Sequence, residues 1–419
     1  MCNFGHLHAH SEYSTLDGMG RLREMFQVAK SHGQTFLAIT DHGTMSGLWE
    51  AQKIAEEEGM KAILGCEFYY EREGDGENGH LLVLAKNNTG LLNMMKLQAW
   101  ASKFNFKRKP RITFEKLKDH SEGLIVTSAC LGSAFNQYIL NGQIQEATEW
   151  ARKYKATFGE DFYIEIQPNE IPEQHLVNTT SIRIAKQLNI QLVATNDVHY
   201  VLDSDCYPHE VLLAMQTHKK MDNEKRFKFS TNDFWLKSEA EMFDTFKGLD
   251  ETAVSEAIHN TSIIAEKCTA KLVKGSYLPR FYDIPPNKLP REVLAEKIMR
   301  GLKNRGFARD RPFVEQVQHE LDVIDRNGYS DYFLIVQDFV TSAKQRGELV
   351  GDGRGSGAGS KVAYVTGITE IPPHEYDLLF ERFMADGREP DSLESSDMET
   401  YRVKFGEPRL QVGVRLKAC

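Results

Sequence analysis

Short apolar runs alternate with longer amphipathic segments between residues 20 and 200. The apolar runs predict strands over residues 35–40, 61–68, 80–85, 123–128, 162–166 and 191–195. Apolar side chains at helical spacing predict helices over residues 21–32, 48–58, 144–158 and 176–188. Strands that alternate with helices indicate βαβ units and a parallel sheet, with enough units here to close a barrel.

The second part of the chain has a different pattern. Residues 201–285 are less regular, and helices are predicted there over 239–246 and 250–267. A proline-rich stretch at 283–290 predicts a linker. Long helices follow over 291–305, 313–326 and 332–346. We therefore expect a first domain over residues 1–280, a second over 281–385 and a divergent tail over 386–419.

Residue types that bind metals recur at the ends of the predicted strands. His6, His8 and His10 alternate over a short N-terminal strand, and this spacing projects them to one side. The other candidates follow or close a strand: Asp41, His42, Cys66, Glu67, Cys130, Asp197 and His199. His80 is the exception, since it opens its strand. Carboxyl ends of parallel strands meet at one rim, which predicts a metal cluster there. The alternative is a set of solvated or core histidines.

Composition limits the classes of partner. The contents of 41% hydrophobic and 26% charged residues are typical of a soluble globular protein. The net charge of −9 argues against general binding to nucleic acid, so such contact requires local basic patches. Two patches interleave with phenylalanines: Lys103, Phe104, Phe106, Lys107, Arg108, Lys109 and Arg111, and Lys219, Lys220, Lys225, Arg226, Phe227, Lys228 and Phe229. Each patch is also explained as a solvated face.

Cysteine usage and hydropathy indicate a location. The six cysteines are scattered and form no CxxC pair, which suits a reducing cytoplasm and individual metal ligands. No apolar run reaches membrane-spanning length, so we expect a cytoplasmic protein without membrane contact.

The order of these motifs resembles a known family. The series His8-x-His10, Asp17, Thr40-Asp41-His42-Gly43, Gly65-Cys66-Glu67, His80, Cys130 and Asn196-Asp197-Val198-His199 is similar to the polymerase and histidinol phosphatase (PHP) family. The opening around His6–Gly18 resembles bacterial DNA polymerase III alpha subunits, which are C-family replicative polymerases. The stretches that resemble the start of that family's palm domain are Gly328–Val336, the glycine-rich residues 350–360, residues 368–371 and residues 376–383.

The resemblance implies a fold and a metal site. The fold class is α/β: a distorted (β/α)7 PHP barrel followed by an incomplete α/β nucleotidyltransferase-like palm. By matching position, His8, His10, Glu67 and Asp197 would hold one metal, and Glu67, His80 and Cys130 a second. Asp17, His42 and His199 would hold a third. This mixture of imidazole, carboxylate and thiolate favours two or three zinc, manganese or iron ions over magnesium. Such a site would serve a 3′–5′ exonuclease or a pyrophosphatase.

The glycine-rich stretch predicts a nucleotide site. Five glycines between 351 and 359 let backbone amides approach phosphate oxygens, and a helix expected near Ser360 would add its N-terminal dipole. The usual alternative is a flexible linker. The flanking apolar strand and helix and the resemblance favour a deoxynucleoside triphosphate site, with Arg354, Gly355 and Ser356 as contacts.

The chain departs from the family after Phe383. The palm's paired aspartates are missing, since no Asp-x-Asp occurs between residues 384 and 419 and Asp397-x-Glu399 is the nearest match. Polymerisation needs carboxylates that hold two magnesium ions, so we expect none from this chain alone. A truncated, split or frameshifted product would account for the ending.

Three functions follow from these expectations. The first is part of a replicative polymerase that acts on DNA and deoxynucleoside triphosphates, with the rest of the polymerase or other replisome subunits as partners. The alternatives are a free-standing PHP phosphatase acting on a small phosphate ester and a non-catalytic module whose metals are structural.

Overall fold

The computed structural model describes residues 4–71, 76, 78–273, 275 and 279–384. The chain divides into two compact units, Met1–Leu272 and Val273–Cys419. This division comes slightly earlier than the predicted boundary between residues 280 and 281, and the predicted domain limits remain predictions. Residues 385–419, with the predicted tail and its Asp397 and Glu399, lie outside the described residues.

The first unit contains one curled sheet with helices around it. The strands are β1 (Phe36–Ile39), β2 (Lys61–Glu71), β3 (Asn78–Ala85), β4 (Phe106–Lys107), β5 (Lys109–Ile112), β6 (Leu124–Thr127), β7 (Phe162–Ile166) and β8 (Gln191–Ala194). Their order is β4-β5-β2-β3-β6-β7-β8, and β1 also pairs with β2. Every residue of β1, β6 and β7 is buried, as expected for strands covered on both faces.

The sheet is mixed, whereas the sequence pattern predicted a parallel one. Strand β3 runs antiparallel to both of its neighbours, β2 and β6. The connection from Glu71 to Asn78 is too short for a crossover helix, so β3 must return antiparallel beside β2. Tyr69 near the end of β2 therefore pairs with His80 at the start of β3. This explains why His80 opens its strand and still reaches the rim where the other strands end.

An extended N-terminal segment joins the two ends of the curled sheet. Its His6 carbonyl accepts a hydrogen bond from the Ala38 amide of β1, at 2.8 Å. On the other side, the His10 amide donates to the Val198 carbonyl after β8, at 2.7 Å. With this segment, β1, β2, β3, β6, β7 and β8 form the seven-membered, distorted barrel that was expected. The segment makes isolated bridges and is not a regular strand.

Helices cover the outside of the barrel. They are α1 (Leu22–Ser31), α2 (Leu48–Glu58), α3 (Asn88–Phe104), α4 (Phe114–Asp119), α5 (Ala134–Leu140), α6 (Ile144–Phe158), α7 (Pro172–Leu188), α8 (Cys206–Gln216), α9 (Glu239–Thr245) and α10 (Glu251–Lys267). Helix α1 buries Leu22, Met25, Phe26 and Ala29, which lie on one face at helical spacing. Helix α7 begins four residues before its predicted start (172 against 176), with a proline at its N-terminus.

The second unit is helical over residues 279–384. Its helices are α11 (Pro290–Asn304), α12 (Arg311–Arg326), α13 (Ser330–Gln345) and α14 (Lys361–Val365). Helix α11 packs so closely on the end of α14 that a Cβ added at Gly301 would lie 1.9 Å from the Val365 carbonyl oxygen. No strand occurs in that range, so the apolar strand expected beside the glycine-rich stretch is absent from it. None of the helices in the described ranges is both long and apolar enough to cross a membrane.

Candidate metal centre and its cleft

Nine predicted ligands lie together at one rim of the barrel. Each of them has a side-chain nitrogen, oxygen or sulfur within 3.7 Å of another member of the set. They come from the N-terminal segment, from β2 and β3, and from the turns after β1, β6 and β8: His8, His10, Asp17, His42, Glu67, His80, Cys130, Asp197 and His199. We call this set the metal-centre cluster.

Glu67 lies at the middle of the cluster. Its Oε2 is 2.6 Å from His42 Nδ1 and 3.2 Å from His80 Nδ1. Its Oε1 is 3.2 Å from His8 Nε2 and accepts a hydrogen bond from the Cys130 thiol at 3.4 Å. A carboxylate that faces four ligand-type groups could be shared between two cations, as the resemblance implies for Glu67.

Asp197 joins the other side of the cluster. Its Oδ1 lies 3.1 Å from His8 Nε2, 3.0 Å from His10 Nε2 and 3.7 Å from His199 Nδ1. The residue has a positive φ of 49°, a left-handed conformation at the turn after β8 that aims its carboxylate inward. Asp17 lies at the outer edge, where its Oδ2 is 3.2 Å from His42 Nε2.

The donor set fits metal ions. Three of its buried atoms, His8 Nε2, His42 Nδ1 and Glu67 Oε2, lie at ion-pair distance from other cluster atoms but without hydrogen-bond geometry. Buried polar atoms normally make well-aligned hydrogen bonds, so these three are suited to coordinate a cation. Ligand atoms within 4.8 Å of one another form three groups: His8, His10 and Asp197; His42, Glu67 and His80; and His10, His42 and His199. The division of ligands among individual metals remains a prediction.

The charges in the cluster compensate one another. Burial raises the pKa of Glu67, but the imidazoles of His80, His42 and His8 outweigh this effect and hold the pKa well below its usual range. Burial lowers the pKa of His42, while the carboxylates of Glu67 and Asp17 raise it to about 10. Protons therefore supply positive charge among these carboxylates, and metal binding would release them.

Glu165 is a functional candidate that sequence reasoning missed. It is buried in β7, and its carboxylate accepts hydrogen bonds from Thr127, Thr195 and, at 3.0 Å, His8 Nδ1. Because a carboxylate only accepts, this contact places a proton on Nδ1 and leaves the Nε2 lone pair for a metal. A single carboxylate in the apolar run 162–166 was the available signal.

Three other sequence candidates lie outside the cluster. His6 Nε2 contacts the Lys237 carbonyl oxygen at 2.8 Å. Asp41 accepts hydrogen bonds from the hydroxyls of Ser11 and Ser14, and Cys66 donates to the Asp41 carbonyl. These buried groups hold the loops that carry the cluster.

A cleft of about 430 Å³ opens beside the cluster. Asp17 and His42 form part of its lining, and the hairpin β4–β5 forms one wall. The remaining lining comes mainly from hydroxyl-bearing and aromatic residues: Tyr13, Ser14, Thr15, Gly43, Thr44, Ser46, Tyr69, Phe106, Arg108, Lys109, Pro110 and Gln216. Most of the first basic patch thus lies on this hairpin, but Arg111 is buried and pairs with Glu71.

The second basic patch approaches the cluster from another side. The Phe229 ring lies edge-on to His199, with 4.9 Å between ring centroids. Arg226 is paired with Glu210 at 2.5 Å, whereas Lys219, Lys220, Lys225 and Lys228 are exposed. The patch is therefore partly structural and partly available to solvent.

The predicted nucleotide contacts lie on an exposed loop of the second unit. Arg354, Gly355 and Ser356 are all exposed, and Ser360 caps α14 as expected. The start of α14, however, is filled by the buried carboxylate of Glu320. It accepts hydrogen bonds from the Lys361 and Val362 amides, both at 3.0 Å, and from the Ser360 hydroxyl at 2.8 Å. The helix N-terminus therefore binds an internal anion, and phosphate binding there was a wrong expectation.

The chain is similar to known proteins over both units. Residues 6–169 match the PHP domain, and residues 292–394 match the bacterial DNA polymerase III alpha NTPase domain. Among solved structures, an amidohydrolase from Chromobacterium violaceum covers 47% of this chain and 87% of its own at 15% identity. Its TM-score is 0.28.

Several curated relatives are DNA polymerase III alpha subunits. That of Treponema pallidum is 42% identical over 91% of this chain and 33% of its own length. That of Aquifex aeolicus is 38% identical over 91% of this chain and 35% of its own. That of Thermus aquaticus is 34% identical over 98% of this chain and 40% of its own length. The chain thus spans between 33% and 40% of the length of these relatives. The chain thus combines a match to the PHP domain with a match to the bacterial DNA polymerase III alpha NTPase domain, and it is similar to DNA polymerase III alpha subunits over 91–98% of its own length.

Proposed function

We propose that the first unit is a metal-dependent phosphoesterase that cleaves phosphodiester bonds in DNA. The observation that carries this proposal is the position of the metal-centre cluster beside a cleft with Arg108 and Lys109 on its wall. Carboxylates and imidazoles of the cluster would hold cations, and the cleft would admit an anionic ester. A 3′–5′ exonuclease uses both features, whereas a pyrophosphatase has no need for the aromatic wall.

The cluster residues would share two or three zinc, manganese or iron ions. We propose the grouping that the resemblance implies: His8, His10, Glu67 and Asp197; Glu67, His80 and Cys130; and Asp17, His42 and His199. When bound there, the metals would supply Lewis-acid activation of water and of a phosphoester. Glu165 fixes the His8 ring, and Arg108 and Lys109 attract the phosphates.

We propose a further role that concerns the family's whole protein. An intact member would polymerise DNA from deoxynucleoside triphosphates with magnesium, in the cytoplasm and with other replisome subunits. In this chain Arg354, Gly355 and Ser356 would contribute triphosphate contacts. No palm aspartate pair follows Phe383, so we expect no polymerisation by this chain alone.

Degradation of 3′-labelled single-stranded DNA tests the phosphoesterase. The purified chain is incubated with manganese or zinc and without deoxynucleotides, beside Asp197→Asn and Asp203→Asn variants. Asp203 is an exposed carboxylate near the cluster in sequence and serves as the matched control. We expect loss of label with the unchanged chain and with Asp203→Asn, and none with Asp197→Asn.

The opposite result favours a structural role for the metals. The cluster already connects the N-terminal segment with β2, β3 and the turn after β8, so bound metals would also stabilise the barrel. Full metal occupancy without hydrolysis of DNA or of a small phosphate ester would support the non-catalytic module. Hydrolysis of the small ester alone would support a phosphatase.

A further inference from the structure

We propose that hairpin β4–β5 is a strand-binding wall that makes the cleft selective for single-stranded oligonucleotides. Phe106 would stack on a base, and Arg108 and Lys109 would bind backbone phosphates next to the bond at the metal centre. The inference rests on the proposed phosphoesterase and adds its substrate class, which excludes mononucleotides and pyrophosphate as preferred substrates.

The hairpin is anchored rigidly at the rim that carries the cluster. Its strand β5 pairs in parallel with the end of β2, with Arg111 beside Tyr69. The Arg111 side chain is 6% exposed, lies 3.3 Å from the Glu71 carboxylate and donates a hydrogen bond to Asn105 at 3.2 Å. Because Glu67 lies in the same strand β2, the sheet fixes the distance between hairpin and cluster.

The cations at the hairpin tip are free to bind phosphate. Lys107 pairs with Lys109, which leaves Arg108 at the turn with a positive φ of 64°. Neither Arg108 nor Lys109 forms an ion pair with another described residue, and Lys109 Nζ lies 4.9 Å from the centre of the Tyr69 ring. Among the described residues that line the cleft, Asp17 contributes the single carboxylate. The wall is therefore positive and has little internal charge to neutralise it.

Phe106 provides an aromatic surface on the same wall. Its side chain lines the cleft and is 63% exposed. Phenylalanines beside basic side chains bind single strands by stacking on bases without regard to sequence. The cleft volume of about 430 Å³ is that of a small-ligand site and suits one residue of a strand better than a base pair.

The hairpin region also supplies a matched control. Phe104, at the end of α3, is 65% exposed, nearly the same as Phe106, but it does not line the cleft. Lys107 is exposed and likewise absent from the lining. A Phe104→Ala/Lys107→Ala variant therefore removes one phenylalanine and one cation from the outside of the cleft.

Binding tests the wall independently of hydrolysis. Fluorescence anisotropy of a labelled single-stranded oligonucleotide is measured on the full chain without added metal. We expect Phe106→Ala to weaken binding about tenfold, the size of one lost stacking contact. Arg108→Ala/Lys109→Ala should reduce the slope of log affinity against log salt by about 1.4, since each phosphate contact contributes about 0.7. Equal losses in the Phe104→Ala/Lys107→Ala control, or no losses in the wall variants, would overturn the inference.

Hydrolysis of two substrates distinguishes the proposed phosphoesterase from the proposed strand-binding wall. With bis(p-nitrophenyl) phosphate, which has no base or second phosphate, Phe106→Ala should keep kcat/KM within about twofold. With the oligonucleotide its KM should rise about tenfold. If the unchanged chain hydrolyses neither substrate, the proposed phosphoesterase fails, and the binding result still decides the wall. If Phe106→Ala lowers both rates equally, the residue only supports the fold and the inference is wrong.

Discussion

The metal-centre cluster and the glycine-rich loop present opposite kinds of site. Most of the cluster is buried, and its carboxylates and imidazoles face each other at contact distance. The loop exposes Arg354, Gly355 and Ser356 to solvent, and the helix N-terminus behind it is already filled by Glu320. A preorganised site binds with little reorganisation, whereas exposed contacts must be ordered by the ligand itself. The comparison predicts that the two sites will respond very differently to substitution.

The largest expected effect is on activity, from the residue at the middle of the cluster. Glu67→Gln should lower the proposed phosphoesterase rate by about 10³-fold, because metals supply several kcal/mol of transition-state stabilisation. The measurement is kcat with saturating manganese, together with the bound-metal content. Glu24→Gln, an exposed change on α1 and outside both the cluster and the cleft, is the control. Equal rates for Glu67→Gln and the unchanged chain would show that the cluster is not catalytic.

The next effect is on stability in the second unit. Glu320→Ala leaves three donors without their acceptor and should cost about 3 kcal/mol of local opening free energy. Hydrogen exchange of the Lys361 and Val362 amides measures this cost. Glu315→Ala on the same helix is the control, since Glu315 is 67% exposed on its side chain. Unchanged protection would mean that Glu320 does not cap α14.

Glu320 also predicts a pH dependence. Burial raises its pKa above the ordinary 4.5, although hydrogen bonds from Val362, Lys361 and Ser360 oppose the shift. With a raised folded pKa, the folded state holds the proton more tightly than the unfolded state does. The free energy of unfolding of the unchanged chain, relative to that of the Glu320→Gln variant, should therefore fall as the pH rises from 4.5 through the folded-state pKa of Glu320. Above that pKa the difference should level off.

A smaller effect is expected from the carboxylate behind the cluster. Glu165→Gln should weaken metal affinity about 10- to 100-fold, because it removes the acceptor that fixes the His8 tautomer. Competition with a chelator measures the affinity, and Glu160→Gln, an exposed change before β7, is the control. If Glu165→Gln binds metal like the unchanged chain, His8 does not depend on this contact.

The smallest effect is expected in the loop. Arg354→Ala should change the unfolding free energy by less than about 0.5 kcal/mol, as is usual for an exposed residue. It should still weaken binding of a deoxynucleoside triphosphate, measured by calorimetry with magnesium. A loss of stability comparable with that of Glu320→Ala would mean that Arg354 is structural and not poised for a ligand.

The sequence predicted most of the barrel because its strands are buried on both faces. Residues 144–158 and 162–166 form the predicted helix and strand over the same range. The direction of the strands was harder to predict, because the hydrophobic pattern indicates which residues are buried and not which way a strand runs. The one sequence feature that requires an antiparallel strand is the short connection before β3. Residues 86–122 carried no predicted element, and they contain α3, the hairpin and α4.

The residues that sequence reasoning missed act through long-range contacts. Glu165 reaches His8 across 157 positions, and Glu320 reaches Ser360 across 40. Local patterns show that each carboxylate sits among apolar residues, but they do not identify its partner. The predicted ligands are different, since their side chains recur at strand ends that the topology brings to one rim.

The N-terminal segment also sets the order in which the first unit can be completed. His10 meets Asp197 over a separation of 187 positions, and the Val198 backbone completes the same contact. Contacts between residues so far apart in sequence slow folding, because the entropy of closing the long loop is lost before the contact contributes any stabilisation. During synthesis the cluster can therefore assemble only after residue 199 has left the ribosome. Metal binding by the growing chain would then show that the barrel has closed.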